Sequence, residues 1–467
     1  MKRCDFAKCV IEDCSEYALF GADRCPICCG AYCYDHVDDP SNHICHTNPP
    51  SDYLFPYKSV VEDEIAEILE VLNFDAIVAE VEALRPGHRC IHVDRPENAS
   101  HMEKLTGAYN FHLIIEYDDG LKWVMRIRRK QTSLQPEGAL MMSHESEIAT
   151  LKALYTAGIR VPRAYARPQD SKVSSHLLYF YQEFIEGLPT SVVLFNPACT
   201  ETLRLAGEAL IRNYAAWMID LEKVTFDKVG SLFLTDIGTI HVGPHVERDR
   251  TILLDHPYLI GPYDTAKERW IAAIECRMKL ILDKKEVSPS NELHAYLVML
   301  EMRELVKGCP ELDEEFKVDR DTGELNGIID WDWASLTCKA EAYAAPEYFR
   351  LEHSKMYSSQ PTTKERYLIQ AYEDLGRCDL ANFVRRGRKY HWLHNTIFWL
   401  QWDVKEMNAA RRAFLALPDV IEGEPQTNED WREIMLRKFD GDAGLMVLKA
   451  QKRLNCHEPP RLDQPVC

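Results

Sequence analysis

The sequence lacks four features, and the first three of them would direct it to a particular kind of partner or compartment. It has no excess of basic residues, because 55 lysines and arginines stand against 74 aspartates and glutamates, for a formal net charge of −19. It has no apolar run near the roughly 20 residues that span a bilayer, no apolar signal segment near its start, and no internal repeat. We therefore expect a cytoplasmic or nuclear protein that binds neither membranes nor nucleic acid through general charge.

Cysteine is scarce outside one short segment. Eight of the 16 cysteines lie in the first 45 residues, and the other eight are scattered over the remaining 422. Such clustering is typical of a metal site and not of a disulfide framework. Residues 1–47 contain little that could form an apolar core, so bound metal would have to stabilise them.

The clustered cysteines and histidines have spacings that suit two tetrahedral zinc sites. Zinc takes four nitrogen or sulfur ligands, and spacers of two or four residues let one turn present two of them. The eight candidate ligands are Cys9, Cys14, Cys25, Cys28, Cys33, His36, His43 and Cys45. Cys4, Cys29 and His46 are spare candidates, and Cys4 could replace Cys9 or Cys14.

This spacing, with the aromatic Tyr32 before Cys33, resembles the AN-one-type zinc finger of stress-associated and ubiquitin-linked proteins. The resemblance implies two interleaved zinc ions, one held by Cys9, Cys14, Cys33 and His36 and the other by Cys25, Cys28, His43 and Cys45. The gap between the histidines is one residue longer than is usual in that family. Docking of a protein partner by the finger is a hypothesis that follows from the resemblance.

After the cysteine-rich segment, the patterns predict a linker and helix over residues 48–72 and a small α+β lobe over 73–190. Residues 109–129 are two alternating runs joined at Asp119-Gly120, which predicts a β-hairpin. Helical periodicity over 143–158 and a buried strand over 176–189 complete the lobe.

The rest of the chain is mostly helical. Residues 191–440 include predicted helices at 202–224 and 390–407, interrupted by short strands such as 230–234, and residues 441–467 are predicted to be a C-terminal tail. A small sheet lobe followed by a large helical lobe predicts an α+β, two-lobed protein-kinase-like fold, preceded by a small zinc-finger domain.

Kinase chemistry needs a loop over the phosphates, a cation that binds them, an acid that holds the cation, and ligands for Mg²⁺. Gly107 precedes a predicted strand and could let backbone N–H groups approach phosphate. Strand alternation places Arg126 on the face opposite Trp123, Met125 and Ile127, and Glu147 on the following helix could pair with it. Asp330 ends a short strand, where it could bind metal.

Six segments in order resemble the aminoglycoside phosphotransferase and choline kinase-like family, notably its fungal branch. They are "TGAYNFHLIIEYDDGLKWVMRI", "SEIATLKALYTAGIRVPRAY", "YQEFIEGLP", "FDKVGSLFL", "HVGP" and "GIIDWDWA". The resemblance covers about residues 73–440. It implies ATP between the lobes, Arg126 in place of the strand lysine, Glu147 as its helix partner, Glu183 and its two neighbours near the adenine, and Asp330 on Mg²⁺.

The catalytic loop departs from that family. In "CPELDEEFKVD", Cys309 takes the place of a histidine, and Glu311 takes the place of the aspartate that deprotonates the acceptor hydroxyl. The metal-binding asparagine is deleted or replaced by Glu315 or Phe316. The extra methylene of a glutamate moves its carboxylate by about an ångström, and errors of that size cost roughly 10²-fold in rate.

Three functional hypotheses follow. The first is a kinase-like pseudoenzyme that binds nucleotide weakly or not at all and docks to a partner through the zinc finger. The second is an active phosphotransferase that uses Glu311 as base and Asp330 for Mg²⁺, with acidic residues from Glu301 to Glu315 attracting a small cationic substrate. The third is a nucleic-acid binder that uses the finger. It is the least favoured because the first 45 residues hold eight acidic and only four basic residues.

Overall fold

The computed structural model of the protein describes most of the chain after residue 54. The described residues are 55–96, 99–107, 109–130, 137–187, 201–246, 259–288, 290–313, 334–350, 352, 355, 357–398 and 402–455. The eight predicted zinc ligands, Asp330 and residues 314–333 lie outside this part of the chain.

The N-terminal lobe combines four helices with a five-stranded sheet. Its elements are α1 (Phe55–Val71), α2 (Phe74–Leu84), β1 (Cys90–Val93), α3 (Ala99–Leu105), β2 (Asn110–Tyr117), β3 (Lys122–Arg128), α4 (Glu137–Thr156), β4 (Ala164–Ala166) and β5 (Tyr179–Glu183). All pairings are antiparallel, in the order β1-β2-β3-β5-β4. The mixed α+β character expected from the sequence is therefore present.

The predicted hairpin is present, and its turn is at the expected position. Strands β2 and β3 pair from Asn110 with Arg128 to Glu116 with Lys122. Gly120 has φ of +84°, a left-handed conformation that glycine adopts without steric cost.

The sheet has one strongly apolar face. Trp123, Met125 and Ile127 of β3 pack with Ile65 of α1 and Ile77 of α2 in one buried cluster. Strand alternation places these β3 side chains on one side, so the two N-terminal helices cover that side of the sheet.

Helix α1 belongs to this lobe and occupies most of the segment predicted as linker and helix. Glu64 is buried, and its Oε2 accepts a hydrogen bond from Arg129 Nε at 3.1 Å. Its Oε1 accepts a hydrogen bond from the Lys130 N–H at 2.6 Å. These contacts attach α1 to the end of β3. The sequence had placed this segment in a linker and helix outside the lobe.

Helices dominate the remaining two hundred and more residues. The elements are α5 (Glu201–Leu221), β6 (Ser231–Leu234), β7 (Ile240–Gly243), α6 (Ala266–Leu282), α7 (Glu292–Lys307), α8 (Lys339–Ala342), α9 (Glu347–Arg350), α10 (Thr363–Asp374), α11 (Cys378–Arg386), α12 (Arg388–Ile397), α13 (Val404–Leu415), α14 (Asn428–Lys438) and α15 (Ala443–Asn455). Strands β6 and β7 form a separate antiparallel hairpin.

Helix α7 is the centre of the helical lobe. Its Leu297, Val298 and Met302 are fully or almost fully buried, in a cluster with Trp270 of α6 and Trp431 of α14. None of the helices in the described part of the chain combines the length and apolar composition that a membrane span requires.

Two helical predictions differ from the structure. The segment predicted as one helix over 390–407 contains the end of α12 and the start of α13, because Asp403 caps α13 in a capping box with Glu406. Beyond residue 440, where a tail was predicted, α15 packs Leu445 and Leu448 into the core of the helical lobe. Burial of these leucines extends the lobe to this helix.

The hairpin β6–β7 lies against α4 and therefore touches the sheet lobe. Leu232 of β6 packs with Ala149 and Ala153 of α4. A Cβ atom at Gly230 would lie 2.2 Å from the Gly243 carbonyl oxygen, so the close approach at the start of the hairpin requires glycine.

Candidate functional site

A buried ion pair joins strand β3 to helix α4. Arg126 Nη2 lies 3.1 Å from Glu147 Oε1, and the two side chains are 8% and 3% exposed. A carboxylate at this distance restrains the guanidinium, whose planar set of donors also suits phosphate. The structure thus brings together two residues that the sequence proposed as partners.

Arg126 lies on the polar face of the sheet. Antiparallel pairing places it opposite His112, and it places Arg128 opposite Asn110. Alternate residues of a strand share a face, so these four side chains lie on the side opposite the apolar cluster. Asn110, Arg126 and Arg128 are buried.

Helix α4 covers this polar face with further polar groups. The ring of His144 meets Phe180 of β5 edge to face, with centroids 5.5 Å apart, and Phe180 is paired with Arg126 in the sheet. The buried polar residues of α4 are Ser143, His144, Ser146, Glu147 and Thr150. Buried polar groups at this density are uncommon in protein interiors, and they mark the region as a candidate site.

Gly107 is in a tight turn just before β2. Its N–H donates to the Asn110 carbonyl at 2.8 Å, and its carbonyl accepts a hydrogen bond from Arg129 Nη1 at 2.8 Å. A Cβ atom here would lie 3.2 Å from the Asn110 carbonyl oxygen and 3.3 Å from His112 Cε1. The turn is therefore packed closely onto the polar face that carries Arg126.

Glu183 ends strand β5, where the resemblance implies adenine binding. Its N–H donates to the Arg163 carbonyl at 3.1 Å, and its Oε2 accepts a hydrogen bond from the Arg163 N–H at 3.1 Å. The next residue, Phe184, donates its N–H to the Lys122 carbonyl at 2.9 Å. Backbone donors for an adenine would have to come from residues after Phe184.

The chain after Asp330 is held beside α4. Leu336 exchanges two backbone hydrogen bonds with Gly230, at 2.7 and 3.3 Å, and the Ser231 hydroxyl donates to the Ala334 carbonyl at 3.1 Å. Leu336 also packs on the cluster that joins α4 to β6. The described residues that follow Asp330 thus lie against the helix that carries Glu147.

Glu311 lies in a 3₁₀ turn, Pro310–Asp313, after α7. Its Oε1 lies 2.7 Å from Arg386 Nη2, and its Oε2 binds Lys389 Nζ and accepts a hydrogen bond from Tyr390 Oη at 3.2 Å. Lys389 and Tyr390 therefore hydrogen-bond Oε2, whereas Oε1 has an ion-pair contact with Arg386 and no hydrogen bond among the described residues. Two cations compensate the charge of this carboxylate, which disfavours its use as a proton acceptor.

The neighbouring Asp313 and Cys309 also have contacts of their own. Asp313 binds Lys267 of α6. Cys309 is buried in the core of the helical lobe, and burial raises the pKa of its thiol. A buried, protonated thiol does not perform the acid-base or orienting work of an imidazole at this position.

Arg386, Lys389 and Tyr390 are site residues that the sequence analysis did not select. They lie 75 or more residues after Glu311, on α11 and α12. The run "RRGRK" over 385–389 was the available signal, but a basic run alone does not reveal which carboxylate it meets.

One further group of potential metal ligands is present among the described residues. His88, Asp118 and Asp119 could offer ligand atoms within 4.8 Å of one another. Arg85 binds both oxygens of Asp119, at 2.9 and 2.6 Å, and this contact lowers the pKa of Asp119. The exposed carboxylate already has a cation, so we do not assign a metal there.

Solved structures that are similar to this chain include two phosphotransferase-type proteins. A protein of Thermobifida fusca assigned as a fructosamine-3-kinase is 15% identical, with a TM-score of 0.40, over 73% of this chain and 98% of that chain. A macrolide 2′-phosphotransferase type I is 15% identical, with a TM-score of 0.32, over 75% of this chain and 99% of that chain. No family model and no curated protein matches the sequence.

Proposed function

We propose that this chain is a kinase-like protein of the aminoglycoside phosphotransferase type that binds a nucleotide and transfers phosphate poorly or not at all. The observation that carries the proposal is the difference between the two acidic positions. Glu147 contacts the buried guanidinium of Arg126, whereas the carboxylate of Glu311 is contacted by Arg386, Lys389 and Tyr390.

The residues around Arg126 fit a nucleoside triphosphate. The guanidinium of Arg126 would bind phosphate oxygens, Glu147 would hold it in place, and the Gly107 turn would cover the phosphates. Asp330 would hold Mg²⁺, which neutralises phosphate charge when it is bound. Glu183 and the residues after it would lie near the base.

An active phosphotransferase with a cationic substrate is the second candidate, but the acidic run gives it little support. Glu301 is buried, and its two oxygens bind Arg411 and Trp431. Glu304 pairs with Lys438, and Asp313 pairs with Lys267. The described carboxylates of the run therefore have basic or N–H partners already, which reduces the field available to attract a polycation.

The N-terminal finger completes the proposal as a docking module. The spacing of its eight candidate ligands supports two structural zinc ions. Full-length protein should then contain two zinc ions per chain by elemental analysis, and a Cys25→Ser variant should contain fewer. A metal content well below two in freshly purified wild-type protein would contradict this part.

Nucleotide binding and turnover test the main proposal in one set of titrations. Binding of a fluorescent N-methylanthraniloyl ATP is measured with and without Mg²⁺ for wild type, Arg126→Met and Asp330→Ala. We expect measurable binding to wild type, a loss of at least tenfold in Arg126→Met, and a loss of the Mg²⁺ effect in Asp330→Ala. Arg85→Met, which removes a partly buried arginine of the same lobe, is the matched control and should bind normally.

Turnover distinguishes the two candidate functions. ADP release is followed with amines and aminoglycosides as acceptors, and we expect no release above that of the Asp330→Ala variant. Robust ADP release that disappears in Asp330→Ala would establish the active phosphotransferase instead. If the nucleotide does not bind to wild type at any tested concentration, nucleotide binding is excluded.

A further inference from the structure

Arg129, directly after β3, holds the Gly107 turn through two hydrogen bonds. Its backbone N–H donates to the Tyr109 carbonyl at 2.9 Å, and its Nη1 donates to the Gly107 carbonyl at 2.8 Å. The N–H of a trans peptide unit points away from the carbonyl of the same unit. Because Arg129 fixes these two carbonyls, it also fixes the direction of the N–H groups in the same two peptide units.

The guanidinium of Arg129 is itself held by a carboxylate from another element. Glu64 of α1 accepts a hydrogen bond from Arg129 Nε at 3.1 Å through Oε2, and one from the Lys130 N–H at 2.6 Å through Oε1. Arg129 and Glu64 are 1% and 3% exposed, and the low dielectric of such a site strengthens their hydrogen bond. One carboxylate thus restrains both a side chain and the backbone at the end of the strand.

Helix α1 gives Glu64 a firm support. Ile65 and Ile68 of this helix are 1% and 7% exposed, and both pack in the apolar cluster of the sheet with Ile127. Glu64 precedes Ile68 by four positions, and side chains at that spacing are neighbours on one helix face. The apolar packing that anchors α1 therefore anchors the carboxylate as well.

These contacts connect the two faces of the sheet. Helix α1 packs on the apolar face, whereas the Gly107 turn packs beside His112 on the polar face. Arg129 joins them at the strand end. The phosphotransferase resemblance covers about residues 73–440, so Glu64 lies outside the motifs that it names.

We propose that Glu64 is a positioning residue for the nucleotide site, because through Arg129 it holds the Gly107 turn in the conformation that covers the phosphates of ATP. This role rests on the proposed nucleotide function. The site then requires α1 in addition to the segments that resemble the family. A change at Glu64 weakens ATP binding although Glu64 does not touch the nucleotide.

Glu64→Gln and Arg129→Met test this role in full-length protein, with Glu80→Gln as the matched control. Glu80 is a glutamate of α2 that is 8% exposed, and it accepts hydrogen bonds from Tyr179 and Tyr181 of β5, which are not part of the turn. We expect affinity for the fluorescent ATP to fall about threefold to tenfold in the first two variants, the scale of one lost hydrogen bond. The control should bind normally.

A double-mutant cycle separates positioning from a general loss of stability. Glu64→Gln/Gly107→Ala should bind ATP within about twofold of the weaker-binding single variant, because both changes act through one turn. Glu80→Gln/Gly107→Ala should bind like Gly107→Ala alone. If the effects of Glu64→Gln and Gly107→Ala multiply, or if Gly107→Ala binds normally, the role of Glu64 is overturned.

Hydrogen exchange reports on the turn in the absence of nucleotide. Amides over residues 105–111 should exchange at least about fivefold faster in Glu64→Gln and Arg129→Met than in Glu80→Gln. Unchanged exchange in Glu64→Gln, or faster exchange with normal ATP affinity, overturns the role of Glu64 and leaves the nucleotide proposal standing. If the wild type binds no ATP, the nucleotide proposal fails and this role fails with it.

Discussion

Glu147 and Glu311 are both buried or nearly buried carboxylates with arginine partners, but their surroundings differ. Glu147 lies on α4 and contacts a guanidinium on the polar face of the sheet. Glu311 lies in the helical lobe and contacts two cations and a tyrosine hydroxyl that pack around it. In the proposed function, Glu147 positions a cation for a ligand, whereas the charge of Glu311 is compensated by its own neighbours. The proposal therefore gives the chain a binding role without an efficient catalytic base.

The largest effect should follow from removing Glu147. Glu147→Ala leaves Arg126 buried without this carboxylate, and breaking a buried pair from one side costs about 3 to 5 kcal/mol in the free energy of unfolding. Urea unfolding followed by tryptophan fluorescence measures the loss. Glu145→Ala, an exposed glutamate of the same helix, is the control and should change stability by no more than about 0.5 kcal/mol. Equal losses in both variants would mean that the ion pair contributes no more to the free energy of unfolding than an exposed glutamate does.

A smaller but clear loss should follow from removing Glu311. Glu311→Ala leaves Lys389, whose side chain is 6% exposed, without its carboxylate, at a cost of about 1 to 3 kcal/mol. Asp313→Ala removes the neighbouring carboxylate, which is 53% exposed, and should cost less than about 1 kcal/mol. Unfolding midpoints in urea compare the two. The proposed role also requires that Glu311→Ala leave ATP consumption unchanged, so a fall in consumption would restore Glu311 as a base.

Crowding the turn at Gly107 should weaken nucleotide binding and leave the contacts of Glu311 unchanged. In Gly107→Ala the new methyl group meets Asn110 and His112, and a turn displaced by such crowding should weaken binding of the fluorescent ATP by about threefold to tenfold. Gly441→Ala is the matched control because no atom lies within 4 Å of a Cβ at that position. If both variants bind equally well, the turn does not cover the phosphates.

The smallest effect concerns pH and the Cys309 thiol next to Glu311. Burial raises its pKa above the ordinary 9.0 in the folded state, so the unfolded chain loses this proton first. The free energy of unfolding should therefore fall as the pH rises through about 9, and the thiol contributes a part of that fall. Cys309→Ala should show a shallower decline between pH 8 and 10 in urea unfolding under reducing conditions. If the free energy of unfolding declined identically in both proteins, the thiol would be exposed to water in the folded state.

Local patterns were sufficient for the sheet lobe. The alternation in β3 predicted which residues enter the apolar cluster, the Asp119-Gly120 pair predicted the hairpin turn, and Asn73 was correctly assigned as the cap of α2, where its Oδ1 accepts a hydrogen bond from the Ala76 N–H at 3.1 Å. The alternation and the turn were predicted because they depend on neighbours within a few positions, and the Asn73 cap is a local feature of the same kind.

Other elements were missed for identifiable reasons. The Asp403-x-x-Glu406 box was visible in the sequence, but the apolar run across it dominated the helix prediction. Helix α15 follows polar residues, and its burial depends on α7, whose Tyr296 Oη donates to Asp442 Oδ1 just before α15 at 3.1 Å. The short strands β1 and β4 are edge strands whose pairing partners determine them.

The sequence by itself determined the hairpin, helix and strand of the sheet lobe in their order, the face of β3 on which Arg126 lies, and the residue types at Cys309 and Glu311. The alternation of a strand and the periodicity of a helix are local properties, and they survive without knowledge of the fold. Only the tertiary structure determined the contacts of Glu311. Its partners Arg386 and Lys389 come from helices far along the chain, and a carboxylate's charge is compensated by whatever packs around it in space.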